Sequence, residues 1–144
     1  MITLDAFIAR LERAIVEVKP ELAVGLEKVG QLAESIAAEL PGHYQPGWAP
    51  LAESTLRDKE RQGYPVPSPL KRTGKMAGSY RKEVDPFDLV LVVGSPKKEA
   101  AWQELGTSRV PPRPVTEPAL KNSLPFASDV FGKIAMSLLT GEKP

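Results

Sequence analysis

The chain has 144 residues, 42% hydrophobic and 26% charged, with a formal net charge of +1; that is ordinary for a soluble globular domain with a modest core and gives no global drive toward nucleic acid or membrane. It carries no cysteine and one histidine, which excludes a disulfide framework, a thiolate nucleophile and the usual zinc ligand sets. No stretch approaches the ~20 apolar residues of a membrane span, and Met1–Asp5 lacks the basic-then-apolar run of a signal peptide, so a cytoplasm-like compartment is expected.

Leu4, Ile8, Leu11, Ile15, Val18, Leu22, Leu26, Val29, Ala33, Ile36 and Leu40 step by four and three residues, with one additional four-step from Leu22 to Leu26. This alternation keeps one apolar stripe on one helical face, and the additional step is a stutter. Pro20 would ordinarily divide the segment into two helices. The stripe keeps its phase across it, which favours one helix over residues 4–40, kinked at Pro20 and ended by Pro41-Gly42. At 1.5 Å per residue such a helix spans roughly 55 Å, longer than a domain of this size covers by itself, so part of the stripe is expected to pack on another subunit, with Ile8 and Leu11 as interface candidates.

The sequence contains 15 prolines, about twice the usual share, and most fall between Pro41 and Pro118, so much of the middle must be extended or looped. Residues 41–75 read as an extended arm or loop. Pro50 opens a short helix through Leu51, Thr55 and Lys59 to a Gly63 cap, and residues 64–70 read as a polyproline-like arm. Such a segment is expected to order on assembly, with Trp48 and Tyr64 as anchors; the plainer reading has Trp48 capping the domain's own core.

Residues 71–83 hold Lys71, Arg72, Lys75, Arg81 and Lys82 before the first acid, Glu83. A solvated charged face is the commonest meaning of such a run, and contact with phosphates of passing DNA is the other. Thr73-Gly74-Lys75 does not follow a strand in the manner of a phosphate-binding loop, so no nucleotide site is read there. Residues 79–84 and 89–93 form the clearest hairpin, with Asp85-Pro86-Phe87-Asp88 as its turn and a second run apolar on both faces, as in a central strand. Residues 97–105 follow as a short amphipathic helix with Ala100, Ala101, Trp102 and Leu105 as inward candidates. Leu120, Leu124, Ala127, Phe131, Ile134, Ala135 and Leu138 mark a last helix, kinked or restarted at Pro125.

Between these two helices lies the most informative stretch. Gly106 sits where a left-handed cap needs no Cβ, Pro111, Pro112 and Pro114 stiffen the connection, and Thr116-Glu117-Pro118 reads as a helix start. Glu104 and Arg113, on either side of the proline-braced turn, are expected to make charge-assisted contacts that set the loop against a neighbouring subunit or the domain's own hairpin. The fold expected for residues 1–144 is a single α+β domain: a long N-terminal helix (1–40), the 41–75 arm, and an α+β core (76–144) with a small, mainly antiparallel sheet and C-terminal helices.

The order Glu104-x-Gly106-Thr107, Pro112-Arg113-Pro114, Glu117-Pro118-Ala119-Leu120 resembles the C-terminal signature of neck and tail-completion proteins of long-tailed bacteriophages, of the lambdoid minor tail and Mu-like virion morphogenesis type. Upstream pieces fall in the same order: Trp48-x-Pro50-Leu51 with Thr55 and Lys59, Leu70-x-x-Thr73-Gly74 with Ser79, Val92-Val93-Gly94-Ser95, and Ala100 or Ala101 ahead of Glu104. The likeness spans roughly residues 45–122. One departure is Val115, where the family usually has an aromatic after Arg-Pro, so the side chain that plugs the neighbouring surface is smaller. The resemblance implies a virion structural protein, assembled in the host cytoplasm, that forms a homo-oligomeric ring joining head to tail or completing the tail. Its implied partners are head-completion or stopper proteins, tail-terminator or tail-tube proteins and, transiently, packaged DNA, with no membrane. A tail-terminator subunit is the nearest alternative, and a small nucleic-acid-binding module using the basic run is the alternative from another class.

No catalytic constellation stands out. His43 sits in a Pro/Gly loop with no paired nucleophile or carboxylate at a recognisable spacing, and neither a metal-ligand set nor a glycine-rich dinucleotide fingerprint is present. No catalytic, cofactor-binding or metal residues are therefore assigned, and no enzymatic activity is expected.

Overall fold

A computed structural model describes residues 1–142. The fold is α+β. Helix α1 (Leu4–Glu39) is followed by α2 (Glu53–Arg61), a 3-10 turn (Ala77–Ser79), strands β1 (Arg81–Asp85) and β2 (Val90–Gly94), then α3 (Lys98–Leu105) and α4 (Thr116–Thr140). The strands form a two-stranded antiparallel sheet. The chain divides into two compact units, one of Met1–Leu32, Glu83–Val92 and Ser123–Pro144, the other of Ala33–Lys82 and Val93–Asn122.

α1 is a single helix that runs through Pro20. Proline removes the N–H that would bond the carbonyl of Val16. That stretch is exposed, so water can satisfy the freed group. Pro125 is likewise carried inside α4, between exposed residues, and the helix does not restart there.

The first unit is thinly packed. Its buried apolar side chains are Val29 of α1 and Val130 and Ile134 of α4, with Phe131 half-buried. Close approach is made possible by Gly25, where a Cβ would lie 2.7 Å from Phe131 Cε1 and 2.9 Å from Ile134 Cδ1. The hairpin turn belongs to this unit: Asp85 Oδ1 accepts hydrogen bonds from the N–H groups of Phe87 (2.8 Å) and Asp88 (3.0 Å), the way a short acidic side chain stabilises a tight turn. Those two bonds, Asp88 first and then Phe87, hold the Asp85 carboxyl below its ordinary pKa, helped by the Lys19 charge.

The second unit holds most of the core: Ala33, Ala37, Leu40, Trp48, Tyr80, Val93, Ala100, Val115 and Ala119. Small residues dominate on its helices. On α3 only Ala100 is buried; Ala101, Trp102 and Leu105, expected inward, are exposed. On α4 the buried position in this unit's share is Ala119, and Leu120 faces outward. Of the four residues expected inward on α3, close packing selects one, Ala100. The hairpin's second run is also corrected: with two strands only, Val90 and Val92 are exposed and β2 is not a central strand. Ser79 Oγ lies 2.6 Å from Ser95 Oγ, tying the open end of the hairpin.

Two glycines in helices give opposite expectations for thermal or denaturant unfolding. Gly25→Leu should destabilise by about 1–3 kcal/mol through overpacking. Gly132→Ala, where an added Cβ meets nothing within 4 Å, should stabilise by up to ~1 kcal/mol through helix propensity.

Candidate functional site

The connector between α3 and α4 is organised by one carboxylate. Glu104 Oε2 accepts from the N–H of Val115 at 2.8 Å and of Thr116 at 3.1 Å, and Oε1 from the N–H of Glu117 at 3.3 Å and from the Thr116 hydroxyl. A negative charge thus sits on the free N–H groups that open α4, where the helix dipole favours it. The expected hydroxyl cap from Thr116 is replaced by a cap from eleven to thirteen residues upstream, with the Thr116 hydroxyl donating to it. Gly106 takes φ 75° and packs so closely that a Cβ would lie 3.0 Å from Pro112. Thr107 Oγ1 closes the loop by accepting from the N–H of Arg109 and Val110.

Arg113 turns inward. Its Nε and Nη2 donate to the carbonyl of Ala49 at 3.1 and 3.0 Å, and Nη2 also to that of Pro50 at 3.1 Å. Trp48 Nε1 donates to the Pro114 carbonyl at 3.2 Å, so residues 48–50 and 113–114 are laced together. The expectation that Glu104 and Arg113 set the loop against a subunit or the hairpin is therefore corrected for this chain: Glu104 caps α4, and Arg113 anchors the segment before α2. Val115 is fully buried in its own chain. Trp48 is buried too, as the plainer reading had it.

The 41–75 segment packs on itself instead of extending as an arm. The buried Lys59 ammonium, 2% exposed, donates to the carbonyls of Ser68 and, at 3.0 Å, Lys71. Tyr64 lies under the Arg72 guanidinium, 5.5 Å from ring centroid to Cζ. Arg72 also pairs with Asp58 at 3.1 Å.

The fold gathers part of the basic run. Lys71, Arg72 and Lys75 line a cleft of about 540 Å³ in the second unit, together with Lys59, Lys97 and Arg113 and a single carboxylate, Glu99. Arg81 and Lys82 do not line it: the Arg81 guanidinium donates to its own neighbours Gly78 and Tyr80, and the Lys82 N–H donates to Glu34. Burial, reinforced by the Arg72 charge, pulls the Lys59 pKa below its ordinary value. Neither Lys59 nor Arg113 meets a carboxylate, since each is held by backbone carbonyls. Lys59 and Lys97 were not singled out as basic-cleft residues from sequence, because they lie 12 and 26 positions from Lys71 along the chain. Only folding brings them to one wall.

The other surface is apolar. The apolar stripe divides at its middle: Val29, Ala33 and, just past α1, Leu40 are buried, with Ala37 beside them and Leu22, Leu26 and Ile36 half-buried, whereas Leu4 (72%), Ile8, Leu11 and Ile15 (74%) are exposed, with Phe7 and Val16 beside them. Leu124, Phe126, Met136 and Leu139 of α4 add to the exposed apolar area of the same unit.

Among the described residues no group of three or more His, Cys, Asp or Glu is placed to hold a metal ion, and no helix is long and apolar enough to cross a membrane. Compared with protein-family models, with curated proteins and with solved structures, the chain matches none.

Glu104→Ala should destabilise by roughly 2–3 kcal/mol, the cost of stripping a charged acceptor from several buried or half-buried donors, with Glu104→Gln intermediate; chemical denaturation measures both. Tyr80, 1% exposed, has a hydroxyl without a hydrogen-bond partner, and burial, with the Glu104 charge adding, pushes its pKa up to about 12. Because the folded chain keeps this phenol neutral, its contribution is full below the ordinary pKa of about 10 and is lost as pH rises toward 12. Tyr80→Phe should therefore match or exceed the wild type in stability at pH 8 and flatten the decline between pH 10 and 12, read by thermal unfolding across that range.

Proposed function

We propose that the chain is a structural subunit of a bacteriophage neck, which self-associates into a ring that joins head to tail or completes the tail around the DNA path. The observation that carries the proposal is the exposed half of the α1 stripe, Leu4 to Val18. Four to five helical turns of aligned Leu, Ile and Val at the spacing of a helix–helix seam stay exposed among the described residues, and a second helical surface is what such a seam accepts. The motif order between Trp48 and Leu120, which resembles that of neck and tail-completion proteins, supplies the biological setting. In that setting the chemistry is interface formation, not turnover. The partners would be further copies of the chain, head-completion or stopper proteins, and tail-terminator or tail-tube proteins, within a virion assembled in the host cytoplasm. A tail-terminator subunit shares the ring habit and is the nearest alternative.

The basic cleft favours a second reading, a small nucleic-acid-binding module. Against it stands the net charge of +1, where nucleic-acid-binding domains carry a pronounced basic excess. A ring that passes DNA must also avoid tight phosphate binding, since each neutralised phosphate adds salt-dependent affinity. Native mass measurement separates the readings. The ring reading expects a discrete oligomer without DNA and no oligonucleotide binding above nonspecific levels at physiological salt. A monomer that binds DNA tightly, with affinity falling steeply as salt rises, establishes the module instead.

Ile8→Asp and Leu11→Asp test the seam directly. Both side chains are exposed in the single chain, so circular dichroism should be unchanged, while sedimentation should show self-association weakened by about tenfold or more, because the contact would bury an unpaired carboxylate. A folded variant that assembles as well as wild type removes α1 from the interface.

A further inference from the structure

The basic cleft and the hairpin turn are complementary in charge and in shape of demand. The cleft presents six cationic residues to one carboxylate. Two of the six, Lys59 and Arg113, are buried with only neutral carbonyls as partners, so the cations of the wall outnumber the acids placed to balance them among the described residues. Arg72 alone among them has a carboxylate partner, Asp58. Leu51, Leu70 and Met76 give the same cleft an apolar side. Gln103 lines it as well, and its buried Oε1 has no partner. A concave site with apolar walls, several cations and an unused amide suits a short acidic segment with an apolar anchor better than it suits a nucleic-acid strand, which needs an open track and free aromatic faces. The one aromatic ring in the lining, Tyr64, is already covered by Arg72.

The chain itself carries such a segment. The turn between β1 and β2 projects Phe87, 79% exposed, between Asp85 and Asp88, with Glu83 two residues before Asp85 and, like it, exposed on β1. Two intrachain hydrogen bonds to Asp85 hold the turn in one shape, so little order remains to be imposed on binding. We infer that the hairpin turn of one copy docks in the basic cleft of the next, with Phe87 against the apolar side and the carboxylates of Asp88 and Glu83 facing Lys71 and Lys75. Two different patches meet in this contact. It is therefore heterologous, and repetition of it closes a ring when the rotation per subunit divides a full turn. The α1 seam supplies apolar area, while the charged contact sets register and excludes wrong partners. The inference rests on the ring reading above.

The test is sedimentation of the full-length chain over a range of concentrations, with circular dichroism as the check on folding. The turn variant is Glu83→Lys/Asp88→Lys, which leaves Asp85 in place to hold the turn. The cleft variant is Lys71→Glu/Lys75→Glu, whose side chains are not among those that hold the fold together by hydrogen bonds. Each variant alone should be folded and associate at least ~10-fold more weakly than wild type. An equimolar mixture should recover association, because the positions paired across the contact, 83 and 88 of the turn with 71 and 75 of the cleft, then carry opposite signs wherever the two variants alternate. Arg109→Glu/Lys121→Glu has the same net charge as the cleft variant but lies outside the cleft, and it should neither weaken association alone nor rescue the turn variant. If wild type associates and the two folded variants do so equally well, the turn-in-cleft contact is wrong and the ring reading stands. A wild type that stays monomeric at every concentration removes both. If association survives in the cleft variant while wild-type binding to a duplex oligonucleotide is lost in it, the cleft is a phosphate site and the contact is again refuted.

Discussion

A helix of 36 residues is about 54 Å long at 1.5 Å per residue, and the apolar stripe along α1 is continuous over nearly all of it. The chain buries the stripe only from Val29 onward. In the first unit the cover comes from α4 through Gly25, Val29, Val130 and Ile134; beyond Leu32 the stripe serves the second unit, where Ala33, Ala37 and Leu40 are buried. What is left, Leu4 to Val18, keeps its phase and stays exposed among the described residues. Isolated helices gain most of their stability from packing of the apolar face, so the exposed half of α1 is stabilised only when something covers it. The proposed assembly follows from that constraint more directly than from any single residue.

The second unit shows how a proline-rich chain obtains rigidity with few long elements. Its connections are held by side chains acting on backbone groups: Glu104 on the first N–H groups of α4, Arg113 on the carbonyls before α2, Lys59 on the carbonyls of the loop after it, and Trp48 on Pro114. Proline supplies no N–H and pushes its predecessor to extended geometry, so carbonyls in this unit lack helical or ladder partners. Long cationic side chains reach them instead. The same choice leaves buried positive charge without carboxylates, which is why the cleft is electropositive even though the chain as a whole is nearly neutral.

Charge is thus segregated locally. Asp58 is drawn below its ordinary pKa, by Gln62 first and then by Arg61 and Arg72, and it neutralises only one member of the cleft. The acids of the hairpin turn lie in the other unit, on exposed positions. A near-zero net charge composed of such opposed patches favours association in defined register.

Some of this was legible in the sequence because it depends on local chemistry. The 4–3 spacing set α1 through Pro20, since a single missing N–H in solvent does not outweigh a phase kept over ten turns. Gly63, Gly106 and the Asp85–Asp88 turn were legible because positive φ and acidic turn residues act within a few positions. Other features needed the tertiary structure. Which residues of the α1 stripe are buried depends on the face of α1 that α4 covers: the end of α4 comes near Arg10, where a Cβ on Gly141 would lie 3.7 Å from its Nε, yet Ile8, Leu11 and Ile15 stay exposed. On α3 only Ala100 of the expected inward residues is buried, and on α4 Ile134 is buried and Phe131 half-buried while Leu120 and Leu124 are exposed, because the neighbour a helix packs against chooses its inner face. Glu104 and Arg113 were recognised as important but given the wrong partners, since a carboxylate and a guanidinium can satisfy backbone groups as well as each other, and only the folded distances choose. The cleft, finally, draws cations from residues 59 to 113. Spacing along a chain sets helices and turns; a charged wall assembled from four separate segments exists only where the fold brings them within reach of one another.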